Sequence, residues 1–471
     1  MNFINNLEKT MNKTTTENGA ETYISTTDNL LDLFALGGAT RNNLFLAVDL
    51  FRKAMAQDRI GAIRILFYLR DVRGGQGERD VFNTCIRIVA DEYQDEFSKI
   101  ANLIPEYGRF DDLIKLIDTK SKDVVVSVIK NQLEKDKESD TPTLLGKWLP
   151  SENTSSNKTK LLAKRIRMSL GMTERGYRKM LSSLRTKIKL VEHNLTNKEY
   201  KTIEYGKLPS QANFKYKKAF KKHDEERYSK YLEDVASGKE KINTKTLYTY
   251  QVYKAVQSGG DVKALDAMWN NLPDYTNGKN ALVVADVSGS MGGDPMAVSV
   301  SLALYFAERN KGQFKDYFIT FSENPKLQKI QGKDIREKMY NLERADWDGN
   351  TNLYKVFATL VNTAVQNNTP SNELPETIYI ISDMEFDSCV TGTNHEAIEQ
   401  LFSGTEYKIP NIVFWNVNAR NKQVPVTKNK RGVTLVSGLS TTTFKLAVEN
   451  KSPIELMNEV IHSDRYCNIL A

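Results

Sequence analysis

The run Ala281-Leu282-Val283-Val284-Ala285-Asp286-Val287-Ser288-Gly289-Ser290-Met291 constrains this chain more than any other stretch. Its apolar opening is too short to span a bilayer and suits a strand buried on both faces of a parallel sheet. The run then breaks into Asp-x-Ser-x-Ser, with Gly289 in the turn and an amphipathic stretch over residues 296–308 after it. Strand, loop and helix in that order put three oxygen-bearing side chains at the carboxyl end of a strand, the edge where open α/β sheets bind ligands. Asp and Ser offer oxygen only, which suits Mg²⁺ or Mn²⁺ and not zinc. Alone, the motif is weak evidence, because short Asp/Ser/Gly turns are common.

Two more pieces follow in order. Trp347-Asp348-Gly349-Asn350-Thr351-Asn352 is a turn-rich loop leading into an amphipathic run, and Glu376-Thr377-Ile378-Tyr379-Ile380-Ile381-Ser382-Asp383 is a second buried strand ending in a carboxylate. Together the three pieces resemble the metal-ion-dependent adhesion site (MIDAS) of von Willebrand factor A (vWA) domains. The resemblance implies a Mg²⁺ (or Mn²⁺) site built from Asp286, Ser288, Ser290, Thr351 and Asp383. In it the three hydroxyls bind metal, the two aspartates hold waters or hydroxyls, and one exchangeable position accepts a carboxylate from an acidic protein partner. A loop that holds no metal, or holds it only for stability, is the alternative. Asp346, Asp348 and Glu385 lie nearby in sequence, yet no general base is evident and Gly74-Gly75-Gln76-Gly77 lacks the Lys-Ser/Thr ending of a phosphate-cradling loop. No catalytic residue is expected.

Earlier in the chain the pattern is helical. Residues 1–26, rich in Asn, Thr and Glu, read as a flexible N-terminal arm. Leu44, Ala47, Val48, Phe51 and Ala54 recur at three- and four-residue steps, and the pattern continues to about residue 118 with breakers at Gly37-Gly38, Gly74 to Gly77, Pro105 and Gly108. Short antiparallel helices of this kind stack as an α-solenoid, although no fixed-period repeat is present. The expected organisation is multidomain. An all-α helical-repeat (HEAT-like) domain spans 27–272, and an α/β, Rossmann-like domain with a mostly parallel sheet spans 279–471. Further strands are expected over 314–321, 409–417 and 433–437, with helices over 334–342, 441–449 and 453–462.

Charge is unevenly spread. Residues 157–250 carry 24 Lys/Arg against 10 Asp/Glu, an excess of 14 in a chain whose net charge is +7. There Arg175, Arg178 and Lys179 flank Tyr177, and Lys215, Lys217, Lys218, Lys221 and Lys222 alternate with Phe214, Tyr216 and Phe220. Lys and Arg neutralise phosphates, while aromatic rings stack on unpaired bases, so a nucleic-acid-binding face is expected. The same spacing also fits ordinary helices, with aromatics in the core and lysines in water.

The three cysteines are scattered, which argues for a reducing compartment, and no run is long and apolar enough for a membrane span. A cytoplasmic monomer is expected, in the host cell if the chain is viral. A basic helical half followed by a metal-site half is similar to the Ro (TROVE-module) ribonucleoproteins, in which helical repeats close into a ring and bind structured or single-stranded RNA. The chain resembles more closely a two-part family of plants, giant viruses and phages. Arg70-Asp71-Val72-Arg73-Gly74-Gly75-Gln76-Gly77-Glu78-Arg79, Lys147-Trp148-Leu149-Pro150 and Tyr177-Arg178-Lys179-Met180-Leu181 carry that resemblance, with the 284–291 motif. The arginines of 70–79 either bind phosphate or serve as caps and ion-pair partners. These resemblances imply a non-enzymatic, TROVE-like RNA-binding protein; the rival is a metal-dependent protein–protein adaptor without nucleic acid.

Overall fold

The computed structural model describes residues 7, 10–276, 278, 280–321, 325–343, 351–446 and 451–470. Its first strands, β1 (Lys13–Thr15) and β2 (Glu21–Tyr23), pair antiparallel as a hairpin. Isolated bridges join that hairpin to the distant chain, Gly19 to Asp387, Glu21 to Thr393 and Tyr23 to Val424. The expectation of a flexible arm is therefore corrected over residues 10–26. The hairpin is held by backbone pairing and by polar contacts such as Thr16 Oγ1 donating to the Phe386 carbonyl at 2.7 Å, which leave no apolar period in the sequence.

Helices follow, among them Asn29–Leu36, Leu44–Gln57, Arg59–Arg70, Asp80–Glu92, Lys122–Glu138, Asn157–Ser169 and Glu174–Ile188. Asp28, Asn43 and Asp58 open the first three by accepting from the Leu31, Leu46 and Ile60 amides, groups a helix start leaves without partners. The apolar stripes of these helices bury one core that also takes Met457, Ile461, Tyr466 and Ile469 from the opposite end of the chain.

The Arg70–Arg79 motif makes that joint. Arg70 is buried, and its Nε and Nη2 donate to Asp112 Oδ2 at 2.9 and 2.6 Å. Arg79 pairs with Asp111 and Asp112, while Asp71 accepts from Arg465 and from the Tyr466 hydroxyl at 2.9 Å. Burial pushes the Asp71 and Asp112 carboxyls up, but the facing arginines outweigh it and hold both below the usual range. Gly77 has φ +70°, and a Cβ there would lie 1.9 Å from the Tyr248 hydroxyl, so only glycine fits this turn. Of the two readings of this motif, the structure favours caps and ion pairs for Arg70 and Arg79.

The sheet runs β5-β4-β3-β6-β7-β8, from β3 (Ala281–Ala285), β4 (Tyr317–Thr320), β5 (Lys326–Lys329), β6 (Thr377–Ser382), β7 (Asn411–Asn416) and β8 (Val433–Ser437). All neighbours are parallel except β4 and β5. The edge strand Lys-Leu-Gln-Lys of β5 escapes a sequence reading because neither of its faces is buried. From β3 the chain goes one way to β4 and later the other way to β6, so the topological switch falls between β3 and β6.

The two faces of the sheet are covered differently. Leu282, Val284, Ile378 and Ile380 point to one side, under helices Leu353–Asn367 and Asn394–Ser403. Val283, Ala285, Tyr379 and Ile381 point to the other, under helix Asp294–Arg309. That second core continues into helices Ser210–His223, Glu225–Ala236, Thr249–Gln257 and Val262–Asn270. Trp269 is fully buried there, its Nε1 donating to Glu308 at 2.6 Å; burying such a side chain contributes about 3 kcal/mol. A boundary near 272–279 thus divides the chain but not the core. The helical region starts and finishes against the α/β unit.

Candidate functional site

The carboxyl ends of β3 and β6 gather a buried cluster at the switch point. Asp286 extends β3 by donating its amide to the Ile381 carbonyl at 2.9 Å. Its Oδ1 accepts the Ser288 amide at 2.9 Å, and its Oδ2 accepts the Ser382 hydroxyl. The following turn sets Ser288 Oγ and Ser290 Oγ 3.0 Å apart. Asp383, just past β6, accepts the Glu385 amide on its Oδ1 at 3.2 Å. Burial pushes the Asp383 carboxyl up to about 6, with the Asp286 charge adding to the effect. The Asp286 carboxyl is also raised, by burial first and then by Asp387.

Thr351 is held by Asp387: its amide donates to Asp387 Oδ2 at 2.6 Å, and its carbonyl accepts the Asp387 amide at 3.2 Å. Hydrogen bonds thus join Asp286, Ser288 and Ser290, and the Asp286 charge acts on Asp383; among the described contacts Thr351 bonds only Asp387. Asp346 and Asp348 lie outside the described residues. Glu385 is committed elsewhere, its carboxylate accepting from the Glu17 amide at 2.7 Å and from Asn421 Nδ2 at 3.1 Å. Ser382, Asp387 and Arg420 were not singled out from the sequence. Asp387, four residues beyond Asp383, could have been; Arg420 comes from a separate loop and carried no signal.

The residues present fit a hard divalent cation. Every side chain of the cluster offers oxygen, burial raises both carboxyls, and Asp383 Oδ2 is buried without a hydrogen bond, 3.3 Å from Arg420 Nη2. Among the described residues no three His, Cys, Asp or Glu side chains group as a metal site, so hydroxyls would supply much of the coordination.

A second site lies on the helical side. Helix Ser210–His223 exposes Lys215, Lys218, Lys221 and Lys222. Lys217 is only 8% exposed: its Nζ lies 3.7 Å from the Phe214 ring centre and donates to the Phe214 carbonyl at 2.8 Å. Burial pushes this ammonium down to about 8, helped by Lys218. Its expected role as an exposed phosphate contact is corrected accordingly, because helical periodicity turns position 217 inward beside Phe220. Two grooves of about 590 and 380 Å³ meet at Lys218 and Gly260. The larger is lined by Lys218, Lys221, Lys222, Asp261, Lys263 and Arg336. The smaller carries Phe214, Lys217, Tyr250 and Lys254.

Seven cations therefore face a single lining carboxylate, Asp261, which is itself paired with Lys221. Arg336 comes from helix Ile335–Glu343 of the α/β half, and its Nη2 donates to the Gly260 carbonyl at 2.8 Å. Lys254, Lys263, Arg336 and Tyr250 were missed from sequence, being scattered over three helices. Arg175, Arg178 and Lys179 are exposed on helix Glu174–Ile188, whose apolar face belongs to the first core. Of the interleaved aromatics, Tyr177 and Phe220 are core residues, Tyr177 donating to the Pro150 carbonyl at 2.9 Å.

Fold and sites define a two-part protein, helical and then α/β, with a polar cluster at the switch point of its sheet. The chain belongs to the family described as Domain of unknown function (DUF2828), which matches residues 16–93 and 123–286. Residues 280–466 match the family described as Domain of unknown function (DUF7788). The two matches overlap across β3, the strand that enters both the helical core and the sheet. Uncharacterized protein L728 of Acanthamoeba polyphaga mimivirus is 29% identical over 496 residues, covering 95% of this chain and 86% of the viral protein. Among solved structures, the Deinococcus radiodurans RO (RSR) protein aligns with 90% of this chain and 94% of its own, at 12% identity and a TM-score of 0.40. No described helix is long and apolar enough to cross a membrane.

Proposed function

We propose that this protein is a non-enzymatic RNA-binding protein of the Ro kind. In this reading the double groove holds the RNA, and a vWA-type Mg²⁺ (or Mn²⁺) site at the sheet edge steadies the closed helical region or takes an acidic partner. The observation that carries the reading is the meeting of the two grooves at Lys218. One is walled by five cations, the other by two aromatic rings among further lysines. Phosphates spaced along a strand are neutralised by such a wall, and an unpaired base finds a ring face beside it. The ion pairs of Lys254 with Asp294 and of Lys263 with Glu233 are solvent-exposed; exposed pairs contribute about 1 kcal/mol or less, so phosphate can replace them.

Fluorescence anisotropy of a labelled single-stranded RNA tests this. Binding should weaken steeply with salt. Lys218→Glu with Lys222→Glu should flatten the log–log salt slope by about 1.4, the loss of two single-strand phosphate contacts. Lys99→Glu, on a distant exposed position, should leave it unchanged. Binding insensitive to salt and to the double substitution would favour the adaptor reading, for which the buried Asp383 oxygen that takes no hydrogen bond is the supporting observation.

A further inference from the structure

The N-terminal hairpin lies over the loop that completes the sheet-edge cluster. Asn18 Nδ2 donates to the Glu385 carbonyl at 2.8 Å, and the Ser388 amide donates to the Asn18 carbonyl at 3.2 Å. With the Thr16 and Glu17 contacts already described, residues 16–18 run alongside 385–388. Arg420, from the loop after β7, stands between hairpin and cluster. Its Nη1 is 2.8 Å from Glu17 Oε2, and its Nη2 is 3.3 Å from Asp383 Oδ2. Asn421 Nδ2 links the same two segments, 3.2 Å from Glu17 Oε1 and 3.1 Å from Glu385 Oε1.

This guanidinium is poorly satisfied. Arg420 Nε is buried without a hydrogen-bond partner, and so is Asp383 Oδ2 despite the nearby Nη2. A guanidinium presents a planar fork of donors, and a well-made carboxylate pair uses two of them in parallel. Here one arm makes a long, misaligned contact with Asp383 while the other is spent on Glu17. The positive charge sits where a cation would, without the coordination a cation would have.

We propose that Arg420 is the resident counter-cation of the sheet-edge site, and that a divalent ion binding at Asp383 displaces it and loosens the Glu17 strap. The inference rests on the cation-site reading above. Asp383 and the hydroxyls of Ser288 and Ser290 would hold a divalent ion through oxygen. Two positive centres then share one carboxylate oxygen, and the monovalent, misaligned one leaves. Arg420 turns away from Asp383 and its bond to Glu17 is lost, while the hairpin keeps its other contacts, among them Thr16 Oγ1 on the Phe386 carbonyl and Thr22 Oγ1 on the Val424 carbonyl. The sheet edge is thereby uncovered for an acidic ligand from outside.

Two measurements on the full chain test this, with Mn²⁺ as the probe. Electron paramagnetic resonance of free Mn²⁺ should show Arg420→Ala binding the ion about tenfold more tightly than the natural protein. Hydrogen–deuterium exchange on the natural protein, which needs no variant to fold, should show faster exchange across residues 13–23 when Mn²⁺ is added. Equal or weaker Mn²⁺ binding by Arg420→Ala would overturn the role of Arg420 while leaving the cation site standing. Slower or unchanged exchange in the hairpin would overturn release of the strap. Failure of both proteins to bind Mn²⁺ would remove the cation site and this inference together.

Discussion

Two cation-rich stretches of this chain meet opposite fates. In residues 70–79 two of the three arginines are spent inside the fold: Arg70 is 2% exposed against a fully buried Asp112, and Arg79 shares the same acid, while Arg73 stays exposed. In residues 215–222 the lysines turn outward around a groove, and only Lys217 is drawn inside. The difference lies in what the opposite wall supplies. Asp111 and Asp112 face Arg70 and Arg79, so those two charges are matched within the fold. The lysine helix faces Lys263 and Arg336, and although Lys221 pairs with Asp261 and Lys263 with Glu233, these pairs are solvent-exposed and Lys218 and Lys222 lack an acidic partner among the described residues. Positive charge in a sequence is a statement about binding only where the fold leaves it uncompensated.

That contrast can be broken or sharpened by substitution. Arg70→Ala should cost the most, about 3–5 kcal/mol of unfolding free energy, since it takes from a buried carboxylate its main partner; urea denaturation measures it. Glu78 gives the pH signature of the same inward region. Burial pushes its carboxyl up to about 7, against the opposing pull of Arg41. The folded state therefore holds a proton that the unfolded chain releases near pH 4.5. Its contribution falls as pH rises from there to about 7, by up to about 3 kcal/mol. Compared with Glu78→Gln, the natural protein should lose melting temperature across that window; parallel pH profiles would contradict the assignment.

On the outward stretch the order of effects reverses. Lys218→Glu with Lys222→Glu should lower RNA affinity at least about tenfold, close to 1.4 kcal/mol, while the melting temperature stays put. Lys217→Met should do the least. It removes a buried charge, leaving stability within about 1 kcal/mol or slightly higher, and it should weaken RNA binding less than either exposed lysine. A loss of affinity from Lys217→Met equal to that of the double variant would erase the distinction between inward and outward positions.

Legibility in the sequence follows the same division. Asp286, Ser288 and Ser290 are alternate residues of a turn after a fully apolar strand, and Asp383 follows another strand, so periodicity and turn chemistry suffice to bring them to one edge. The helices between residues 29 and 188 are equally plain, because each carries an apolar stripe. What those stripes face is not plain: helices Thr249–Gln257 and Val262–Asn270 have the same pattern as their predecessors, yet share a core with the sheet. The hairpin at 13–23 and the guanidinium bridge from Glu17 to Asp383 are contacts between residues hundreds of positions apart, made by polar groups with no period. The groove falls between these extremes. Its lysine helix is readable, whereas Lys254, Lys263 and Arg336 reach it only through tertiary packing.

The central claim is that RNA lies in the double groove, with a base beside Phe214 and Tyr250 and phosphates along the lysine wall. Ultraviolet cross-linking of a bound single-stranded RNA, followed by mass-spectrometric mapping of adducts, tests it most directly. Adducts concentrated on peptides carrying Phe214 and Tyr250, and lost with Lys218→Glu and Lys222→Glu, are the predicted result. Adducts confined to the helix bearing Arg175, Arg178 and Lys179, or spread evenly over the surface, would contradict it.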